Sequence, residues 1–280
     1  MNKKEKIIIF ILIIGVIYFS QYMNVREPIP WIEHKLIAHA LGDIDDKIYT
    51  NSLEALIESI EEGYKLVEAD ILLTNDHQLV LRHDWQIERF IKFNQPFIDD
   101  GSGIYIPSLD EFANNKIYDK YTPMTFNDLL KFMQEYKDFY VVTDTKYLKP
   151  EEYLPQFDLI IKEINSVDPK LLNRFIIQFY NLDMYYNLKE TYPFKDYIFT
   201  IYAVNITNEE IIDFLNQNQL KYLTMYEGRI TPEFIDELAG YGIFTLTHTI
   251  NDINKVYEYL GIGLDGFYTD TVLMEDIGLK

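Results

Sequence analysis

Residues 67–85 read VEADILLTNDHQLVLRHDW. Two apolar runs flank the short polar segment Asn75–Gln78, which is too short for a parallel crossover, so the second run returns as the arm of a hairpin. Side chains alternate along a strand, so Glu68 and Asp70 share one face. The first arm therefore carries two carboxylates out on one face, and the second brings His83 and Asp84 back to the same end.

Outward from this hairpin the chain alternates β-rich runs with helical patterns. The runs are 35–40, 66–73, 139–145, 174–180, 197–203, 221–226, 243–248 and 265–270. Between them, segments such as NSLEALIESIEEGY and TFNDLLKFMQEY space apolar residues by three and four, with candidate N-caps at Asn51 or Ser52, Thr125, Thr207 and Thr231. Eight strands with interposed helices predict an α/β fold, a closed (β/α)8 TIM barrel with a β-hairpin after its second strand. The segment from Trp85 to Pro123 reads as the longest irregular stretch, a lid or insertion.

The barrel occupies residues 34–280. Ahead of it, MNKKEK leads into the apolar run IIIFILIIGVIYF (7–19), extended by SQYM and closed by REPIP (26–30). No small-residue cleavage site follows. Residues 1–25 therefore read as a cytoplasmic flank and an uncleaved signal-anchor transmembrane helix, with 26–33 as linker. The leading lysines place the remainder outside the cell, as the extracellular part of a single-pass membrane protein. Residues 1–26 carry four basic side chains and one acidic one, which leaves 21 basic against 44 acidic groups and a formal charge of −23. Such a surface repels nucleic acid, and an anionic substrate needs a local positive centre. The absence of cysteine removes disulfides, thiolate metal sites and a thiol nucleophile.

Chemistry gathers at predicted strand ends. His39 closes the first strand, Glu68 and Asp70 lie on the second, and Asp144 ends another, followed by Lys146. Barrel enzymes assemble their sites from such positions. Two close carboxylates resist joint ionisation unless a cation lies between them, and oxygen-only ligands suit Mg²⁺ or Ca²⁺. His34 and His77 read as surface residues.

In order along the chain stand His39, the Asn-centred TNS (50–52), Glu68-Ala-Asp70, LTND (73–76), His83-Asp84 with Arg89, and Asp144-Thr-Lys146. This series resembles the glycerophosphodiester phosphodiesterase family, of the phosphatidylinositol-phospholipase-C-like barrel superfamily. The resemblance spans roughly residues 36–270. It implies a phosphoric diester hydrolase acting on a small or lipid-derived phosphodiester, with one divalent cation held by Glu68, Asp70 and Asp144. His39 and His83 would flank the phosphorus as general base and acid, Lys146 would neutralise phosphate charge, and Asn51 and Arg89 would stand by the substrate. Four departures stand out: Ala40 in place of arginine, Thr50 in place of glutamate, Asp144 in place of glutamate, and His248 near the position of a tryptophan.

Asp144-Thr-Lys146 also resembles the sphingomyelinase D branch, which implies an alternative in which a substrate hydroxyl attacks phosphorus and a cyclic phosphate leaves. Ala40 and Thr50 motivate a non-catalytic barrel, which six retained site residues oppose. A glycosidase pair is disfavoured because both carboxylates sit on one strand face.

Overall fold

A computed structural model describes residues 34–278. The expected transmembrane helix (1–25) and linker (26–33) lie outside the described residues, and among those described no helix is long and apolar enough to cross a membrane.

Nine strands follow the expected order: β1 (Leu36–Ala38), β2 (Leu66–Leu73), β3 (Leu79–Leu81), β4 (Tyr140–Asp144), β5 (Phe175–Phe179), β6 (Asp196–Thr200), β7 (Tyr222–Tyr226), β8 (Phe244–His248) and β9 (Gly266–Thr269). Eight of them are parallel and run in the order β1-β9-β8-β7-β6-β5-β4-β2, and the pairing of β1 with β2 closes the barrel. β3 is the hairpin arm, antiparallel to β2 with Ile71 opposite Leu81. That register carries Arg82 back to the level of Asp70, whose carbonyl accepts from the Arg82 N–H at 2.9 Å.

Period-two alternation sorts each strand into an outer and an inner face. Val67, Ala69 and Ile71 of β2, and Phe175, Ile177 and Phe179 of β5, join the apolar layer under the helices. Phe179 stacks on Phe199 of β6 with centroids 4.8 Å apart. Each such buried Val, Ile or Phe side chain contributes about 1.5–3 kcal/mol. The inner face is left to Glu68, Asp70, Asp144 and Gln178, all buried.

Helices begin where hydroxyl caps were expected: Ser52, Thr125, Thr207 and Thr231 each accept the backbone N–H three residues on. In the helix Pro150–Val167, burial pushes the Glu163 carboxyl up to about 7, partly offset by Lys162 and reinforced by Asp128. The folded state therefore holds this proton more tightly than the unfolded chain, and stability falls as pH rises from about 4.5 through 7. Glu163→Gln should raise stability at pH 8 by about 1 kcal/mol and have little effect at pH 4, read by urea unfolding at both pH values.

The segment after Trp85 is more ordered than expected. It contains the helices Ile87–Lys92 and Leu109–Asn114, each six residues long and so too short to register a period, the second opened by a Ser108–Glu111 capping box. It is organised around Arg82, 1% exposed, whose guanidinium lies 4.5 Å from the Phe90 ring centre and 5.0 Å from that of Phe93. Arg82 donates to Gln95 Oε1 at 2.6 Å and to the Asp84 carbonyl at 3.1 Å. Arg82→Ala should cost about 3 kcal/mol, and Arg82→Met, which keeps the packing, about half of that, measured by chemical denaturation.

Candidate active site

β1 stops at Ala38, and the chain enters the tight turn His39–Leu41, where Ala40 and Leu41 hold φ of 50° and 68°. Gly42 closes this turn at φ 93°, and a Cβ there would meet Ser59 Oγ at 2.1 Å. The turn aims His39 into the barrel mouth. Its Nδ1 lies 2.8 Å from Asp270 Oδ1 just past β9, and its Nε2 lies 3.6 Å from Glu68 Oε2. Burial opposes charge on this ring, but the Asp270 hydrogen bond and the fields of Glu68, Asp270 and Asp70 outweigh it and raise its pKa to about 9.

The hairpin delivers His83 to the same mouth. Its Nδ1 is 2.8 Å from Asp84 Oδ2, and that oxygen also accepts from Arg89 Nη2 at 2.8 Å. Asp84 is partly buried, yet the hydrogen bonds from His83 and Arg89 hold its carboxyl well below the usual range. The two imidazoles stand 6.5 Å apart between centroids, and Tyr49 packs edge-on against both, at 4.7 Å from His39 and 4.8 Å from His83. The Arg89 guanidinium lies 4.9 Å from the Tyr49 ring centre.

The three carboxylates converge below the histidines, since Asp70 and Asp144 are direct partners across β2 and β4. Gln178 donates to Glu68 Oε1 at 3.0 Å, and Gln178 Oε1 accepts from Thr200 Oγ1 at 2.8 Å and Tyr268 Oη at 3.1 Å. The Tyr180 hydroxyl donates to Asp144 Oδ1 at 2.5 Å. Lys146, at φ 63°, turns its ammonium back onto both aspartates, 2.7 Å from Asp70 Oδ1 and hydrogen-bonded to Asp144 Oδ2. Burial raises the Asp70 carboxyl, but Lys146, His83 and His39 outweigh it, and its pKa falls to about 2. Burial raises Glu68 above the ordinary carboxylate range, with His39 opposing.

Glu68, Asp144, His39, His83 and Lys146 line one cavity of about 250 Å³. Asn51 and Arg89 are placed otherwise than expected. Asn51 is fully buried and clamps Asp70, donating to Oδ2 at 2.7 Å and accepting the Asp70 N–H at 3.2 Å, so its contacts are with a carboxylate and not with the cavity. Arg89 braces Asp84 and Tyr49. At the departures, Ala40 is buried inside the first turn and the Thr50 hydroxyl pairs with Ser52. Asp270, Gln178, Tyr180, Tyr49 and Tyr202 are site residues that the sequence reading does not single out; three of them lie in the strand-end segments 176–180 (IIQFY) and 266–270 (GFYTD).

The donor set is one of oxygens, the ligands a hard divalent cation takes. Among the described residues, Glu68 Oε2 and Asp70 Oδ1 are buried, with only the His39 ring at 3.6 Å from the first and the Lys146 ammonium at 2.7 Å from the second, and such oxygens suit hard ligation. Among the same residues, no group of three or more His, Asp or Glu side chains stands at metal-holding spacing, and the Lys146 ammonium lies between Asp70 and Asp144. The chemistry of the oxygens fits such an ion, and closer approach requires Lys146 to move aside.

A family model described as the glycerophosphoryl diester phosphodiesterase family matches residues 44–274. No curated protein matches the chain. Among solved structures, the fold is similar to a glycerophosphodiester phosphodiesterase from Parabacteroides distasonis, with TM-score 0.67, 20% identity, and 87% of this chain and 95% of that one covered. It is also similar to an Oleispira antarctica phosphodiesterase in complex with the product sn-glycerol-3-phosphate, with TM-score 0.67, 19% identity, and coverage of 84% and 92%. A third similar structure is the glycerophosphodiester phosphodiesterase of Thermotoga maritima, with TM-score 0.63, 20% identity, and coverage of 85% and 94%.

Proposed function

The chain belongs to the glycerophosphoryl diester phosphodiesterase family, and on that premise we propose that it hydrolyses glycerophosphodiesters at the mouth of its barrel by two-histidine acid–base catalysis with one divalent cation. It is a phosphoric diester hydrolase. The observation that carries the mechanistic reading is the pair His39 and His83, 6.5 Å apart over a cavity shared with Glu68, Asp144 and Lys146.

A phosphodiester placed between the imidazoles meets a nitrogen on each side. Asp270 anchors His39 through Nδ1, and Nε2, 3.6 Å from Glu68 Oε2 at the cavity wall, can exchange a proton with one ester oxygen. Asp84 does the same for His83. One ring removes a proton from the attacking water as the other protonates the departing alkoxide, the acid–base role that imidazoles suit. Lys146 neutralises charge on the non-bridging oxygens. Glu68, Asp70 and Asp144 would hold the cation, which supplies Lewis-acid polarisation of the phosphate when bound. The sequence of residues 1–25 supports attachment to the cell membrane with the barrel outside.

Turnover in ¹⁸O-labelled water tests the hydrolytic step. One ¹⁸O atom in the phosphomonoester is expected. An unlabelled cyclic phosphate would replace this reading with the internal-attack reaction that Asp144-Thr-Lys146 suggests.

A further inference from the structure

Tyr49 stands at the barrel mouth in a conformation that tyrosine rarely takes. Its backbone holds φ of 66°, in the left-handed region, and its ring lines the catalytic cavity. Such a conformation persists only where the surroundings impose it, and residues of this kind cluster at active sites. Two sets of contacts impose it here. The ring packs on a small apolar cluster of Ile44, Ala55, Phe93, Ile117 and Tyr121. The Arg89 guanidinium lies over it at 4.9 Å, and Asp84 holds that guanidinium through Nε at 3.1 Å and Nη2 at 2.8 Å. Phe93, Ile117, Tyr121 and Arg89 belong to the segment 85–123, so this insertion backs the ring although none of its side chains lines the cavity.

Among the described residues, Tyr49 is the one ring that meets both imidazoles, at 4.7 Å from His39 and 4.8 Å from His83. Hydrogen bonds fix each imidazole separately: Asp270 holds His39 from beyond β9, and Asp84 holds His83 within the hairpin. Neither carboxylate is paired with the other imidazole, and each grips Nδ1 alone. The two Tyr49 distances are nearly equal, and each exceeds half of the 6.5 Å between the imidazole centroids. The tyrosine ring therefore stands to one side of the line joining them and leaves the gap open to a diester. Its hydroxyl joins no hydrogen bond among the described residues, so the contact is made by the ring.

We propose that Tyr49 is a positioning residue: its ring sets the separation of the general acid and the general base, and the insertion 85–123 acts on catalysis through it. The assignment rests on the diesterase reading above. Acid and base work in one transition state, so an error of about 1 Å in the place of either is felt in kcat. Lys146, which meets the phosphate charge, is held by Asp70 and Asp144 and not by this ring, so substrate affinity is left to other groups.

The test compares kcat and KM of wild type, Tyr49→Phe, Tyr49→Leu and Tyr49→Asn, with thermal melts to establish folding. Leucine keeps the apolar packing and asparagine suits the left-handed backbone, so either serves as the ringless variant. The substrates are glycerophosphoethanolamine, whose alkoxide must be protonated as it leaves, and the p-nitrophenyl ester of glycerol phosphate, whose phenolate leaves without a proton. On the first, the ringless variants should lose roughly 30-fold in kcat with KM changed less than about twofold, and Tyr49→Phe should keep at least about half of the wild-type kcat. On the second, the same variants should lose no more than about fivefold, because only the base is then misplaced. A Tyr49→Phe variant as impaired as Tyr49→Leu would assign the effect to the hydroxyl and overturn the proposal. Equal losses on both esters, a loss in KM alone, or no loss at all would also overturn it, while leaving the diesterase reading standing. No turnover of either ester by wild type would remove both.

Discussion

His83→Ala is expected to lower kcat on a glycerophosphodiester by about 10²–10⁴-fold, and His39→Ala by a similar factor, with each fold retained. The double variant should be little worse than either single one, because acid and base act in one transition state and their losses do not add. His83 lies at the mouth with a side chain 28% exposed, so its removal opens no core cavity. His39 is more deeply set, and His39→Gln is the safer companion because it keeps a polar group opposite Asp270. Single-turnover kinetics check this result. A loss confined to KM would assign the histidines to binding instead.

The second large effect concerns the cation. Removing divalent ions with a chelator should lower turnover at least about 100-fold, and Mg²⁺ or Ca²⁺ should restore it. Asp70→Asn should be as inactive with metal as without it. The physical reason lies in the crowding of Glu68, Asp70 and Asp144, whose cationic partners among the described residues are Lys146 and the imidazoles. Metal should also raise the Tm of wild type and leave that of Asp70→Asn unchanged, a readout independent of activity.

The parts of this site that lie within one strand or hairpin were legible in the sequence. Glu68 and Asp70 share the inner face because strands alternate, and His83 returns beside Asp70 because four polar residues allow only a hairpin. The cap positions were legible for the same local reason. What escaped reading is set by closure of the barrel. Asp270 is 231 residues from His39 and reaches it only because β9 pairs with β1. Gln178 and Tyr180 look like ordinary strand residues until β5 is placed near Glu68 and Asp144. Lys146 lines the cavity as expected, and the pairing of its ammonium with both aspartates becomes visible only once β2 and β4 lie side by side. Asn51, expected beside the substrate, is fully buried and clamps Asp70, a contact across 19 residues that depends on how the first helix meets β2.

The most direct measurement is a phosphorus NMR time course of the full chain with a glycerophosphodiester and Mg²⁺ or Ca²⁺, run beside Asp70→Asn under the same conditions. A phosphomonoester resonance that grows only in the wild-type sample, and stops growing when chelator is added, is the expected result. Turnover at the same rate in both samples, or none from a wild-type protein that binds the metal, would contradict catalysis by the carboxylates and histidines at the barrel mouth.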